Sequence, residues 1–118
     1  MRIINQRDKR VIASDAEVAR SLTSRLIGLI GRRKFAPGSA LIIPALGGQI
    51  HTFFMRFPID VALVDARDKV LCVREGIKPY RISSYCRSAA YVVELPSGTA
   101  SACGLKPGDT LLVEGWDE

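Results

Sequence analysis

The six residues Ile59-Asp60-Val61-Ala62-Leu63-Val64 constrain the fold more than any other part of the chain. Five of them are apolar, four in succession, without the alternation of a strand that has one wet face. Such a run requires a central strand covered on both sides. Asp60 is the exception inside it, because a buried carboxylate needs donors or a cation. The residues leading in, Gly47 to Phe57, carry the chain's one histidine (His51), Phe53, Phe54, Met55 and Arg56. Polar groups of three kinds thus enter an apolar segment, and that concentration marks the place to look for a site.

With 118 residues the chain is read as one domain, large enough for a single hydrophobic core. Aromatic residues make up 7%, so Val, Ile, Leu and Ala must build that core. No run approaches the roughly 18–20 apolar residues of a membrane-spanning helix. The N-terminus alternates polar and apolar groups without a signal-peptide core. The chain as given is therefore expected to be cytoplasmic, or exported if a leader has been removed. Cys72, Cys86 and Cys103 are widely spaced and form no Cys-x-x-Cys pair, which reads as free thiols rather than a zinc site or disulfide framework.

The net charge of +5 is unevenly spread. No acidic residue occurs from Val18 to Ile59 or from Gly76 to Val93, while Arg20, Arg25, Arg32, Arg33, Lys34 and Arg56 fall in the first stretch. A shared basic face would attract anions, including nucleic acid. The same residues serve equally as a solvated surface, and no nucleic-acid motif or row of stacking aromatics accompanies them.

Along the chain, Arg2 to Asn5 and Lys9 to Ala13 read as a hairpin closed by Gln6-Arg7-Asp8. Ser14-Asp15-Ala16-Glu17 fits a capping box and predicts a helix to about Leu22, with a second helical turn from Thr23 to Gly31. Strands are predicted at Ala40–Ile43, Gln49–Met55, Ile59–Val64, Val70–Arg74, Tyr91–Leu95 and Thr110–Glu114, with one helical turn within Ser97–Cys103. Strands dominate and helices cluster early. The expected architecture is α+β: a mainly antiparallel, strongly curved sheet or partial β-barrel with one or two short N-terminal helices.

Two acids and the histidine carry the candidate chemistry. Asp60 either pins a turn through backbone N–H groups or pairs with Arg56 at a cleft. Glu94, inside Val92-Val93-Glu94-Leu95, is either a paired buried acid or a base facing a pocket. His51 is a strand histidine or a general base, and with no carboxylate or cysteine at ligand spacing it makes a poor metal centre. Met55 and the neighbouring phenylalanines read as core or pocket wall. No phosphate loop, nucleophile elbow or zinc-protease motif occurs, so neither a metal nor a cofactor is expected.

Four segments, in order, resemble the domain of unknown function 192 family. They are Gly28-Leu29-Ile30-Gly31-Arg32, His51 to Asp60, Val93-Glu94-Leu95-Pro96-Ser97-Gly98, and the turn Lys106-Pro107-Gly108-Asp109. Ile30 stands where the family commonly has Met. The resemblance implies a compact, mostly β domain with short helices and no assigned activity. It adds Arg25, Gly28, Arg32, Gly98 and Asp109 as family-motif positions with a structural role, beside His51, Met55, Arg56, Asp60 and Glu94 as ligand-binding candidates.

Three functional readings follow. The first is a binding or accessory module for a small anionic or polar ligand or a protein segment, with its pocket where Gln49–Asp60 approaches Glu94. The second is a metal-independent hydrolase or isomerase that uses His51 with Asp60 or Glu94. The third, weak nucleic-acid binding through the basic segments, is the one the motif content disfavours.

Overall fold

The computed structural model describes residues 1–18, 36–44, 57–78 and 88–116. Eight strands and one short helix make up the described residues: β1 (Arg2–Asn5), β2 (Val11–Ala13), β3 (Asp15–Val18), β4 (Ser39–Pro44), β5 (Ile59–Val64), β6 (Val70–Ile77), β7 (Tyr91–Pro96), α1 (Thr99–Cys103) and β8 (Leu111–Glu114). They form a three-stranded sheet in the order β2-β1-β8 and a five-stranded sheet in the order β3-β4-β7-β5-β6.

The α+β expectation is overturned. The described chain is mostly β, and its one helix is the five-residue α1 near the C-terminal end rather than an N-terminal block. Where the capping box predicts a helix start, Asp15–Val18 is a strand that pairs in parallel with β4, Asp15 opposite Ser39 and Val18 opposite Ile42. The local capping bonds are outcompeted by long-range ones. The Ser14 and Asp15 N–H groups both donate to the Gly38 carbonyl (3.0 Å each), and Ala16 N–H donates to the Met1 carbonyl (2.9 Å). Asp15 and Glu17 are exposed and Ala16 is buried, so a strand period lies in the same residues that spell a capping box. The second predicted helix lies outside the described residues.

The curved or barrel-like closure is overturned as well. Both sheets are open, with β3 and β6 as the edges of the larger and β2 and β8 as those of the smaller. Among the described residues, a single bridge, Lys69 to Thr110, joins the two ladders. One bridge cannot carry the continuous stagger that closing a barrel demands.

The strand at Ile59–Val64 is interior, between β7 and β6, and all six of its residues are buried. Its neighbour β7 is buried throughout too. Alternation divides the five-stranded sheet into two apolar faces. Ala40, Ile42, Ala62, Val64, Val93 and Leu95 face the three-stranded sheet and share a core with Ile3, Ile12, Leu111 and Ala100 of α1. Leu41, Ile43, Ile59, Val61, Leu63 and Val92 form a second cluster on the opposite face. Each fully buried aliphatic side chain contributes about 1.5–3 kcal/mol, which makes this two-faced sheet the energetic centre of the fold.

Candidate functional site

Alternation along two neighbouring strands decides the fate of the two acids. Asp60 and Glu94 are both fully buried. Asp60 pairs in register with Leu95, and Glu94 with Val61 on one side and Leu41 on the other. Asp60 therefore shares the face of Ala62 and Val64, towards α1, while Glu94 shares the face of Val61 and Val92. No single cleft holds both carboxylates.

The Asp60 carboxylate is a three-way clasp. Its Oδ1 accepts the Gly76 N–H of β6 (2.8 Å), and its Oδ2 accepts those of Gly98 (3.0 Å) and Ala100 (2.9 Å). Ionised acceptors bind backbone N–H groups strongly, so the clasp ties β5, β6 and the start of α1 together. Gly98 sits at the helix start with φ 94°, a left-handed geometry that glycine adopts freely. A Cβ there would touch nothing within 4 Å, so Gly98→Ala tests the backbone alone. It is expected to cost about 1–2 kcal/mol in urea denaturation.

Asp109 forms a second polar hub at the mouth of the smaller sheet. It accepts from Arg7 Nε (2.7 Å), Asn5 Nδ2 (2.8 Å) and the Lys106 N–H (3.0 Å). Arg7 also reaches the Gly104 carbonyl (2.9 Å). Burial alone would raise the Asp109 pKa, but the hydrogen bonds from Arg7, Lys106 and Asn5 outweigh it and hold the carboxyl below its ordinary range. His51, Met55, Arg56, Arg25, Gly28 and Arg32 lie outside the described residues. The four candidates that are described, Asp60, Glu94, Gly98 and Asp109, do not converge on one site.

A groove does form elsewhere, from residues that the sequence pattern left unmarked. It occupies about 440 Å³ at the seam of the two sheets, within the usual range of ligand sites. Asp68, Tyr91 and Trp116 give it its polar and aromatic character, and Leu112 and Val113 of β8 line one side. Pro44, Ala66 and Ala90 complete the apolar lining. The Tyr91 O–H donates to Asp68 Oδ1 (2.8 Å). Burial, reinforced by that acceptor, pushes the phenol pKa far above its ordinary value and keeps Tyr91 protonated. The Tyr91 and Trp116 rings meet edge to face, 5.0 Å between centroids at 89°. Asp68 adopts φ 66°, a conformation that Asp and Asn tolerate better than other side chains.

One sequence signal could have pointed here. Trp116 is the chain's one tryptophan and follows the last strand directly, outside every predicted core segment. Among the described residues no group of three or more His, Cys, Asp or Glu side chains is gathered for a metal, and no helix is long and apolar enough to cross a membrane.

The comparisons with known proteins agree on family and fold. The pattern of DUF192, described as uncharacterized ACR, matches residues 3–113. A UPF0127 protein of Pyrococcus abyssi is 31% identical over 112 residues, which cover 91% of this chain and 92% of the relative. One of Thermococcus gammatolerans is 30% identical over 118 residues, covering 98% and 74%. A crystal structure of a candidate transcription regulator from Sinorhizobium meliloti 1021 superposes with a TM-score of 0.79 at 25% identity, over 94% of this chain and 89% of that one. A Novosphingobium aromaticivorans protein of unknown function, at 20% identity and the same TM-score over 95% and 82%, shares the fold. The matched span and the full-length relatives make this chain a member of the DUF192 (UPF0127) family, whose function is uncharacterised.

Proposed function

We propose that the chain is a binding module whose groove takes a hydrogen-bond donor or cationic group carried on an apolar body. The observation that carries this reading is the joining of Asp68, Tyr91 and Trp116 in one open groove of about 440 Å³. Tyr91 occupies Oδ1 of Asp68, and Oδ2 accepts no hydrogen bond among the described residues. A carboxylate with a spare oxygen beside an indole suits an ammonium or guanidinium, through charge-assisted hydrogen bonding and cation–π attraction. Of the two small-ligand classes expected from the sequence, this supports the polar one over the anionic one. The hydrolase or isomerase alternative has less support. It needs His51 to work with one of two acids on opposite sheet faces, and Asp60 already accepts three backbone N–H groups.

Trp116 supplies the assay, because as the one tryptophan its fluorescence reports the groove directly. Titration with lysinamide and argininamide is expected to give a saturable change, and phosphate and acetate none. Asp68→Asn keeps the backbone geometry and an acceptor for Tyr91 but removes the charge, so it should abolish the amine response without lowering the melting temperature appreciably. A response to the anions alone, or to nothing, would overturn the reading.

A further inference from the structure

Strand β8 is the outer edge of the smaller sheet, and one side of it opens into the groove. The direction of its peptide groups follows from three contacts. The Thr110 carbonyl accepts the Gln6 N–H (2.8 Å), so Thr110 points towards the β1 side. The Leu111 N–H donates to the Asp68 carbonyl (2.8 Å), so Leu111 points away from β1. In an antiparallel ladder this direction alternates by residue, and β8 runs in unbroken register with β1 from Asn5–Leu111 to Arg2–Glu114. The N–H and C=O of Val113 therefore point outward, as those of Leu111 do. The Lys69–Thr110 bridge and the Asp68–Leu111 bond begin a strand pairing along this edge. The groove lies where that pairing would continue, past an exposed Leu112 (44% accessible).

We infer that the groove seats an extended peptide segment of another protein, which pairs with the outward peptide groups of Val113 and lays a lysine or arginine side chain between Trp116 and Asp68. The inference rests on the groove reading above and names its partner. Edge strands with unpaired backbone groups are ready templates for strand addition, and side-chain pockets beside them provide selectivity. Charge complementarity selects the basic side chain. Glu114, the acid on the same strand, is engaged by Arg2 across the ladder (Nε to Oε1, 2.8 Å), which leaves Asp68 as the groove's own acceptor. Gly115, at φ 87°, turns the chain after β8 and brings Trp116 round to the groove.

The test compares three probes on the intact chain by Trp116 fluorescence. They are lysinamide, a capped heptapeptide of alternating Thr and Val with a central Lys, and the same peptide N-methylated at the amides flanking that Lys. The plain peptide is expected to bind about tenfold tighter than lysinamide or better, and N-methylation should return it to the lysinamide level. A central Glu should abolish binding. Val113→Pro deletes an outward N–H without removing a β1 bond, so on that variant the ratio of peptide to lysinamide affinity should fall to about one. If peptide and lysinamide bind alike, strand addition is overturned and the groove reading stands. If neither binds, both fall. A concentration-dependent dimer that competes with the peptide would assign the edge to a second copy of this chain and overturn the inference.

Discussion

Replacing Asp60 with alanine is expected to cost about 3–5 kcal/mol of folding stability, the largest single effect in the described structure. The side chain is fully buried and accepts three backbone N–H groups from two separate segments. Hydrogen bonds to a charged acceptor are worth about 1.5–3 kcal/mol each, and their loss strands the donor of buried Ala100, whereas those of the exposed Gly76 and Gly98 can turn to water. Removing the desolvation cost of the carboxylate itself offsets part of the total. Asp60→Asn should fall between wild type and alanine, because its amide oxygen can keep Gly98 and Ala100 while its NH2 group faces the Gly76 N–H. Urea denaturation at constant m-value checks both variants. A loss under about 1 kcal/mol for the alanine variant would show that the clasp contributes little.

Asp109→Ala is the second large effect, at about 2–4 kcal/mol, because it removes the partner of a fully buried Asn5 amide as well as the Lys106 and Arg7 contacts. Half-exposed Arg7 adds the least to that figure, since solvent screens its charge. The pH dependence has a definite sign. The folded carboxyl titrates below its ordinary 3.8, so on acidification the unfolded chain takes up the proton first. The stabilisation is complete above about pH 5 and is lost as the pH falls through 3.8 towards the lower folded value. The urea midpoints of wild type and Asp109→Ala should therefore differ most at neutral pH and converge in acid. Midpoints that stay equally separated in acid would mean that the hub does not depend on the ionised carboxylate.

The same two residues show how much of the molecule could be read in advance. Asp60 was visible as a polar interruption in an apolar strand, and pinning a turn through backbone N–H groups was one of its two readings. Which amides it meets was not visible, because Gly76, Gly98 and Ala100 come from parts of the chain joined only by the β5–β6 and β5–β7 pairings. Asp109 was legible as part of a turn and as a family-motif position with a structural role, but not by its contacts, since its partners Asn5 and Arg7 lie at the opposite end of the chain. Strand alternation alone puts Glu94 on the side of Val92. That this side is the reverse of the one Asp60 faces required the pairing of β5 with β7.

By itself the sequence determined the local elements whose pattern admits one solution: the N-terminal hairpin, the doubly covered strand Ile59–Val64, the short helix after Pro96 and the closing strand. Each rests on apolar periodicity or turn chemistry within a few residues. The tertiary structure decided whatever depended on competition between local and distant partners. Asp15–Val18 satisfies a helix cap and a strand equally well, and the hydrogen bonds to Gly38 and Met1 choose the strand. The groove is the clearest case. Pro44, Asp68, Tyr91 and Trp116 have no common pattern along the chain, and only the approach of edge strand β8 to one end of the larger sheet brings an acid, a phenol and an indole to one place.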